Sequence, residues 1–289
     1  MRLFGVSVVR NEADVIEAFV RHNLTFLDSL TVVDHASADA TPAILACLAG
    51  EGLPVRIVRE DGAGFFQAEW LTAAARELFI RDGADFVFPI DADEFIKAGS
   101  RGEVERELSD VPAGAHAVIR WLTYVPESLD AERAFGPSHL RWRIDDERQR
   151  SHKCVIGRSF GERPAQYVVS GNHLVDDPSQ PKPPPHLRLR GERVALAHCP
   201  VRSAAQLERK VRLGYQAHRA TEPTNEQQFH HWRRLYEELS SGERLTPERL
   251  REIACNYGLP ADAWRPADAV KLVEDPVRLA FVSRPQPQR

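Results

Sequence analysis

Four short runs rich in β-branched and aromatic residues, at 5–9, 29–33, 55–58 and 86–90, alternate with longer amphipathic stretches at 13–23, 42–49 and 66–80. This order constrains the fold more than any other feature, because parallel strands need a crossover long enough to hold a helix, and each connection here is that long. It predicts an α/β fold, a Rossmann-like, mostly parallel sheet flanked by helices and wound by right-handed crossovers. Local signals agree with it. The segment Ser37-Ala38-Asp39-Ala40-Thr41-Pro42 offers a capping hydroxyl or carboxylate with proline in the first turn, and glycines at 50, 52 and 83 close the second and third helices.

Each of the four strands runs into side chains unsuited to a core: Arg10-Asn11-Glu12, Asp34-His35, Glu60-Asp61 and Asp91-Ala92-Asp93. In a parallel sheet these ends share one edge, where ligands of open α/β sheets bind, so the four segments are expected to converge on one crevice. The last pair says most about chemistry. An apolar run, Phe86-Val87-Phe88-Pro89-Ile90, delivers two carboxylates one residue apart, and such groups repel unless a cation or a donor holds them. Taken alone the pair also suits an acidic turn. Its place after a buried strand favours Asp91 and Asp93 as ligands of Mn²⁺ or Mg²⁺, which commonly bridge one or two carboxylates to substrate phosphates.

Beyond Gly99 the pattern changes. A polar helix at 101–108 precedes runs at 117–125, 140–144, 154–156, 167–169 and 194–197, which read as a smaller mixed β region. The proline-rich stretch 178–186 reads as an exposed extended loop. Helices at 204–220, 226–240 and 247–257 follow, then a frayed tail at 283–289. The expected division is a catalytic domain at 1–200 with a C-terminal helical extension at 201–289 packed on it. A chain of 289 residues with 43% hydrophobic and 28% charged content can bury one large core of that kind.

Composition excludes some partners. A formal net charge of −4 argues against a general nucleic-acid binder, and no apolar run is long enough for a transmembrane segment. Cys47, Cys154, Cys199 and Cys255 form no C-x-x-C pair and read as reduced packing thiols, which fits a cytoplasmic protein. Arg141, Arg143, Arg148, Arg150, Lys153 and Arg158 are interleaved with acids and read as a solvated face.

Three motifs stand in order on the predicted strands: Arg10-Asn11-Glu12, then Asp34-His35-Ala36-Ser37-Ala38-Asp39-Ala40-Thr41, then Asp91-Ala92-Asp93-Glu94-Phe95. Over roughly residues 3–97 the chain thereby resembles the inverting family 2 glycosyltransferases of the GT-A fold. A further segment, Ala197-His198-Cys199-Pro200, leading into a helix with Lys210, is similar to the one that carries a late histidine in related enzymes.

The resemblance implies a hexosyl transfer from a UDP- or dTDP-sugar, a nucleoside-diphosphate donor, to the hydroxyl of a glycan, lipid-linked or small-molecule acceptor. It implies that Asp34 binds the uracil or thymine ring, that Arg10, Asn11 and Glu12 line the nucleoside pocket, and that Gln67 contacts the donor. Asp91 would face ribose and metal, Asp93 would be the direct metal ligand, and His198 a second ligand. The general base of such enzymes lies in a later acidic motif. Asp145 and Asp146 are preferred here, with Glu94, Glu147, Asp176 and Asp177 also open, and His173 stands as a turn residue, ligand or base. Two other classes share strand-end aspartates: a metal-dependent phosphohydrolase or nucleotidyltransferase, and a non-catalytic nucleotide-sugar-binding module.

Overall fold

The computed structural model describes residues 1–62, 64–129, 135–148, 151–221, 230–242 and 244–279. The tail at 283–289, Arg150 and the start of the helix expected at 226 lie outside them. The chain divides into two compact units: Met1–Asp61, Phe66–Trp121 and Arg150–Ala197 form the first, and Gly62–Phe65, Leu122–Gln149 and His198–Arg289 the second. No described helix is long and apolar enough to cross a membrane.

The predicted alternation is present in the first unit as β1 (Leu3–Val9), α1 (Ile16–Asn23), β2 (Ser29–His35), α2 (Thr41–Gly50), β3 (Val55–Glu60), α3 (Gln67–Arg81) and β4 (Phe86–Pro89). All three pairings among these strands are parallel, with Val9 opposite Asp34, His35 opposite Glu60 and Val6 opposite Pro89. The order β3-β2-β1-β4 therefore sets the polar strand ends side by side. Close packing starts in β1. A Cβ on Gly5 would come within 2.5 Å of a Leu30 methyl and 2.8 Å of a Leu27 methyl, so any larger residue would have to push both buried leucines aside where β1 meets β2.

Helix α3 shows how the sheet is covered. Its buried Leu71, Ala75, Leu78 and Phe79 recur at helical spacing and pack on Phe4, Val6 and Val87 of the strands beneath. Each large side chain so buried contributes about 1.5–3 kcal/mol. At the start of α2 the expected capping signal works differently from its usual form. Proline lies in the first turn, but the Asp39 carboxylate accepts from Thr41 N at 2.9 Å while the Thr41 hydroxyl is turned to another backbone amide.

Part of the mixed region joins the same sheet. After β5 (Glu94–Ala98) and α4 (Arg101–Ser109) come β6 (His116–Thr123), β7 (Trp142–Ile144), β8 (His152–Gly157), α5 (Ser159–Glu162), β9 (Tyr167–Val168), β10 (Val175–Asp176), β11 (His186–Arg188) and β12 (Val194–His198). The sheet continues from β4 as β8-β6-β12-β5, with β8 antiparallel to both β4 and β6. Strands β9 and β10 pair with each other in a small separate sheet, and β7 belongs to another. Strand β5, at the sheet's far end, was not legible in the sequence. Its free edge is satisfied by side chains from the end of α1: Asn23 donates to Glu94 O at 3.0 Å and accepts from Ile96 N at 2.9 Å, and His22 Nε2 meets Ile96 O at 2.8 Å. The proline-rich loop ends one residue earlier than expected, since His186 opens β11.

The second unit contains α6 (Ala204–Thr221), α7 (His230–Ser240), α8 (Pro247–Cys255) and the antiparallel pair of β7 with β13 (Leu272–Glu274). Leu207, Val211, Leu235, Leu239, Leu250 and Ile253 make its core. The cysteines are free, and three are buried as expected; Cys47, on α2, is exposed, which corrects its reading as a packing residue.

Candidate functional site

Two loops at the carboxyl ends of β1 and β2 are tied together by the residues of the first two motifs. Asn11 and Ala36 both adopt left-handed backbone, with φ of 57° and 48°. Asn11 Oδ1 accepts from Ala38 N at 2.7 Å and Asp39 N at 3.3 Å, while Asn11 N donates to the Ser37 hydroxyl at 2.9 Å. Glu12 N donates to Thr41 Oγ1 at 2.9 Å and Ala13 N to Asp39 at 3.1 Å. The spacing of Ser37, Asp39 and Thr41 is thus that of a lacing, each residue capping one amide of the opposite loop. Asn11→Ala is expected to cost about 2 kcal/mol in urea denaturation, from two lost hydrogen bonds and an unfavourable φ. Asn11→Gly should recover only the conformational share.

This lacing frames Asp34, which is 1% exposed and accepts from Ser37 N at 3.3 Å. Beside it lies an aromatic wall that the motifs did not reveal. His35, ending β2, packs against Trp70 with ring centroids 4.8 Å apart, and Phe66, half exposed, meets Trp70 edge to face at 6.0 Å. The Phe66-to-Trp70 spacing, one helical turn at the start of α3, was the available signal. Arg10 Nε is buried and makes no hydrogen bond among the described residues.

The turn after β4 is closed by reciprocal bonds: Glu94 N donates to Asp91 O at 3.0 Å, and Asp91 N donates to Glu94 Oε2 at 2.8 Å. Asp91 Oδ2 receives Lys153 Nζ at 2.5 Å, and Asp91 Oδ1 receives Gln67 Nε2 and Asn172 Nδ2, each at 3.2 Å. Lys153 also donates to Gly171 O at 3.0 Å, lies 3.4 Å from Glu94 Oε1, and sits 5.0 Å from the centre of the Trp121 ring. Trp121 Nε1 in turn donates to Glu94 Oε1 at 2.5 Å. Lys153 is 1% exposed, which corrects its reading as part of a solvated face.

Charge balance explains these geometries. Burial, with the Asp91 and Asp93 charges, raises the Glu94 carboxyl above the usual range against the pull of Lys153. Both Glu94 oxygens nevertheless accept from N–H donors, the arrangement that suits a carboxylate. Burial alone would depress Lys153, but Asp91, Glu94 and Asp93 together outweigh it and hold the ammonium charged. The turn from Gly171 to His173 completes the pocket: Gly171 and Asn172 both have positive φ, near 81° and 62°, so their carbonyl and amide reach Lys153 and Asp91. His173 Nδ1 meets His152 O at 2.7 Å and its ring stands edge-on to Trp121, so it serves as a packed turn residue.

Among the sequence candidates, the first unit brings Gln67 and Asp91 into one hydrogen-bonded group with Glu94; Asp93, 3% exposed, lies in the same turn. In the second unit, Asp145 pairs with Lys271 at 2.7 Å, and Asp146 is held by both terminal nitrogens of Arg265 at 2.9 and 3.0 Å. Arg265 first, with Arg148, holds the Asp146 carboxyl below the usual range. Glu147 accepts from Thr123 N at 2.7 Å. His198, in that unit also, is buried against Tyr257 with ring centroids 5.5 Å apart. Asp176 accepts from Tyr167, and Asp177 closes a turn on Ser179.

The donor set at Asp91 does not fit a dication. Its oxygens face an ammonium and two amide N–H groups, all of which present positive charge to the place a metal would take. Among the described residues no group of three or more His, Cys, Asp or Glu side chains is placed to hold a metal ion.

No family model matches the chain, and no curated protein matches it. Among solved structures it is similar to the mannosyltransferase PcManGT from Pyrobaculum calidifontis in complex with GDP-Man and Mn²⁺, at 22% identity and TM-score 0.32 over 44% of this chain and 36% of that one. It is similar to S. aureus TarS 1-349 in complex with UDP, at 12% identity and TM-score 0.41 over 78% and 74%. A third is glucosyl-3-phosphoglycerate synthase from Mycobacterium tuberculosis in complex with Mn²⁺, UDP and glucosyl-3-phosphoglycerate, at 19% identity and TM-score 0.27 over 42% and 43%. The chain covers less than two thirds of the mannosyltransferase and of the synthase.

Proposed function

We propose that the chain is a glycosyltransferase that moves a sugar from a UDP- or dTDP-sugar to an acceptor hydroxyl with inversion at the anomeric carbon. The observation that carries this reading is the shared edge of three parallel strands, β2, β1 and β4, which end on Asp34, Arg10-Asn11 and the Asp91 turn. Asp34 offers a buried acceptor suited to the ring N–H of a pyrimidine. Asp91 and Gln67 offer a fixed acceptor and amide to the sugar hydroxyls of the nucleoside.

In this reading the chain's own groups bind the nucleotide, align the anomeric carbon and exclude water behind the His35–Trp70 wall. Inversion requires a carboxylate to take the acceptor's proton as it attacks the opposite face. Asp145 and Asp146 remain the candidates the resemblance supplies. Asp145 is ion-paired with Lys271 and Asp146 with Arg265, so a base at either position would need its pair to open. The same observation favours, as the second reading, a nucleotide-sugar-binding module without turnover.

Incubation with a panel of nucleotide sugars and acceptors separates the readings. Release of UDP or dTDP supports transfer, saturable binding without release supports the module, and phosphate release from a phosphomonoester would overturn both. Asp34→Asn is expected to weaken UDP binding at least about tenfold in calorimetry, in line with loss of a hydrogen bond to a charged group.

A further inference from the structure

We propose that Lys153 is the resident counter-cation of the strand-end carboxylates. Its ammonium takes the place against Asp91 and Glu94 that a dication would occupy, so Asp91 serves the nucleotide as a fixed acceptor, and any divalent ion the chain binds is held without Asp91. The inference rests on the proposed nucleotide site for its functional meaning, but its electrostatic content stands on the contacts alone.

Three features support it. Each N–H of the ammonium has a direction assigned: Asp91 Oδ2 at 2.5 Å, Gly171 O at 3.0 Å, and the side bearing Glu94 Oε1 at 3.4 Å. The group is also enclosed, with Lys153 1% and Glu94 0% exposed and the Trp121 ring covering the charge. A buried ammonium with this many acceptors is not displaced cheaply, because leaving would take it from all of them and strip Asp91 and Glu94 of their counter-cation. Finally, Gln67 and Asn172 aim their amide hydrogens at Asp91 Oδ1 and occupy both of its lone pairs, while Oδ2, bonded to Lys153, keeps one free. Lys153 is therefore a positioning residue: it acts through Asp91, whose carboxylate it fixes in direction.

The test is a titration of the full chain with Mn²⁺, followed by electron paramagnetic resonance of the free ion, with and without UDP. Asp91→Asn is expected to change the Mn²⁺ affinity by less than about tenfold, the least that loss of a metal-orienting group usually brings. Lys153→Met, if folded by circular dichroism, is expected to raise it by about tenfold or more, since it removes the positive charge that faces the ion's place beside Asp91. That gain is a readout a merely structural lysine would not produce. A larger loss in Asp91→Asn, or no gain in a folded Lys153→Met, overturns the proposal; should Lys153→Met not fold, the Asp91→Asn comparison decides. Calorimetry of UDP with EDTA present reads the nucleotide site separately. Failure of UDP to bind would sink the functional reading, while the Mn²⁺ titration without nucleotide would still judge Lys153.

Discussion

Lys153→Met is expected to destabilise the chain by about 3–5 kcal/mol, the usual cost of removing one partner from a buried ion pair. The loss is not that of the pair's attraction. It is the penalty of leaving the fully buried Glu94 beside Asp91 and Asp93 with no cation among them, although Asp91 itself is 31% exposed. Urea denaturation reads it as a lower midpoint at unchanged slope. Adding Glu94→Gln to Lys153→Met should return part of the loss, because a neutral amide can still accept from Asp91 N and relieves one of the stranded charges. A cost below about 1 kcal/mol, the range of an exposed ion pair, would mean that the lysine is solvated after all.

The second large effect is a sensitivity to acid seated at His116. This histidine is fully buried in β6, its Nδ1 accepts from Gly157 N at 3.0 Å, and its ring packs near His186 and Phe160. Burial, helped by the neighbouring His186, pushes its pKa down from 6.5 to about 4. Protonation would also cancel the acceptor that Gly157 uses. Since the folded value lies below the unfolded one, the unfolded chain binds the extra proton between pH 6.5 and 4. The contribution of His116 is thus complete above pH 6.5 and lost as pH falls through that window, by roughly 3 kcal/mol in all. Carboxylates titrate in the lower part of the same range, so the effect is read as a difference. His116→Asn, which keeps an acceptor near the Nδ1 position, should show a stability that falls less steeply with acid by about that amount. Parallel curves for the two proteins between pH 6.5 and 4 would contradict the assignment.

Residues 3–90 were legible because their structure follows from local pattern. Strand runs, helix spacing and turn glycines each state their own element, and parallel strands joined by helices leave few topologies. The edge carrying Arg10, Asn11, Asp34 and Asp91 followed from that topology, since they sit at the carboxyl ends of three neighbouring parallel strands. Even there, function within the motif was not visible. Asn11 reads as a ligand contact and Ser37, Asp39 and Thr41 as a helix start in one dimension, and the fold uses their side chains to lace two loops together.

Strand β5 escaped notice because Glu94 and Lys97 interrupt its apolar run, and Asn23 and His22, which bond its open edge, lie more than 70 residues earlier. Lys153 escaped for a related reason. A lysine within a basic, acid-dotted interval reads as surface until one knows which strand lies beside β4. The antiparallel register of β8 sets Phe86 opposite Gly157 and Val87 opposite Ile156, and continuing it carries Lys153 alongside the end of β4, next to Asp91. Sequence alone determined that carboxylates would gather at the sheet edge, because strand period and chain direction are local properties. Which cation meets them was settled only by tertiary pairing between strands some sixty residues apart, where burial turns one lysine from a solvated charge into a fixed counter-ion.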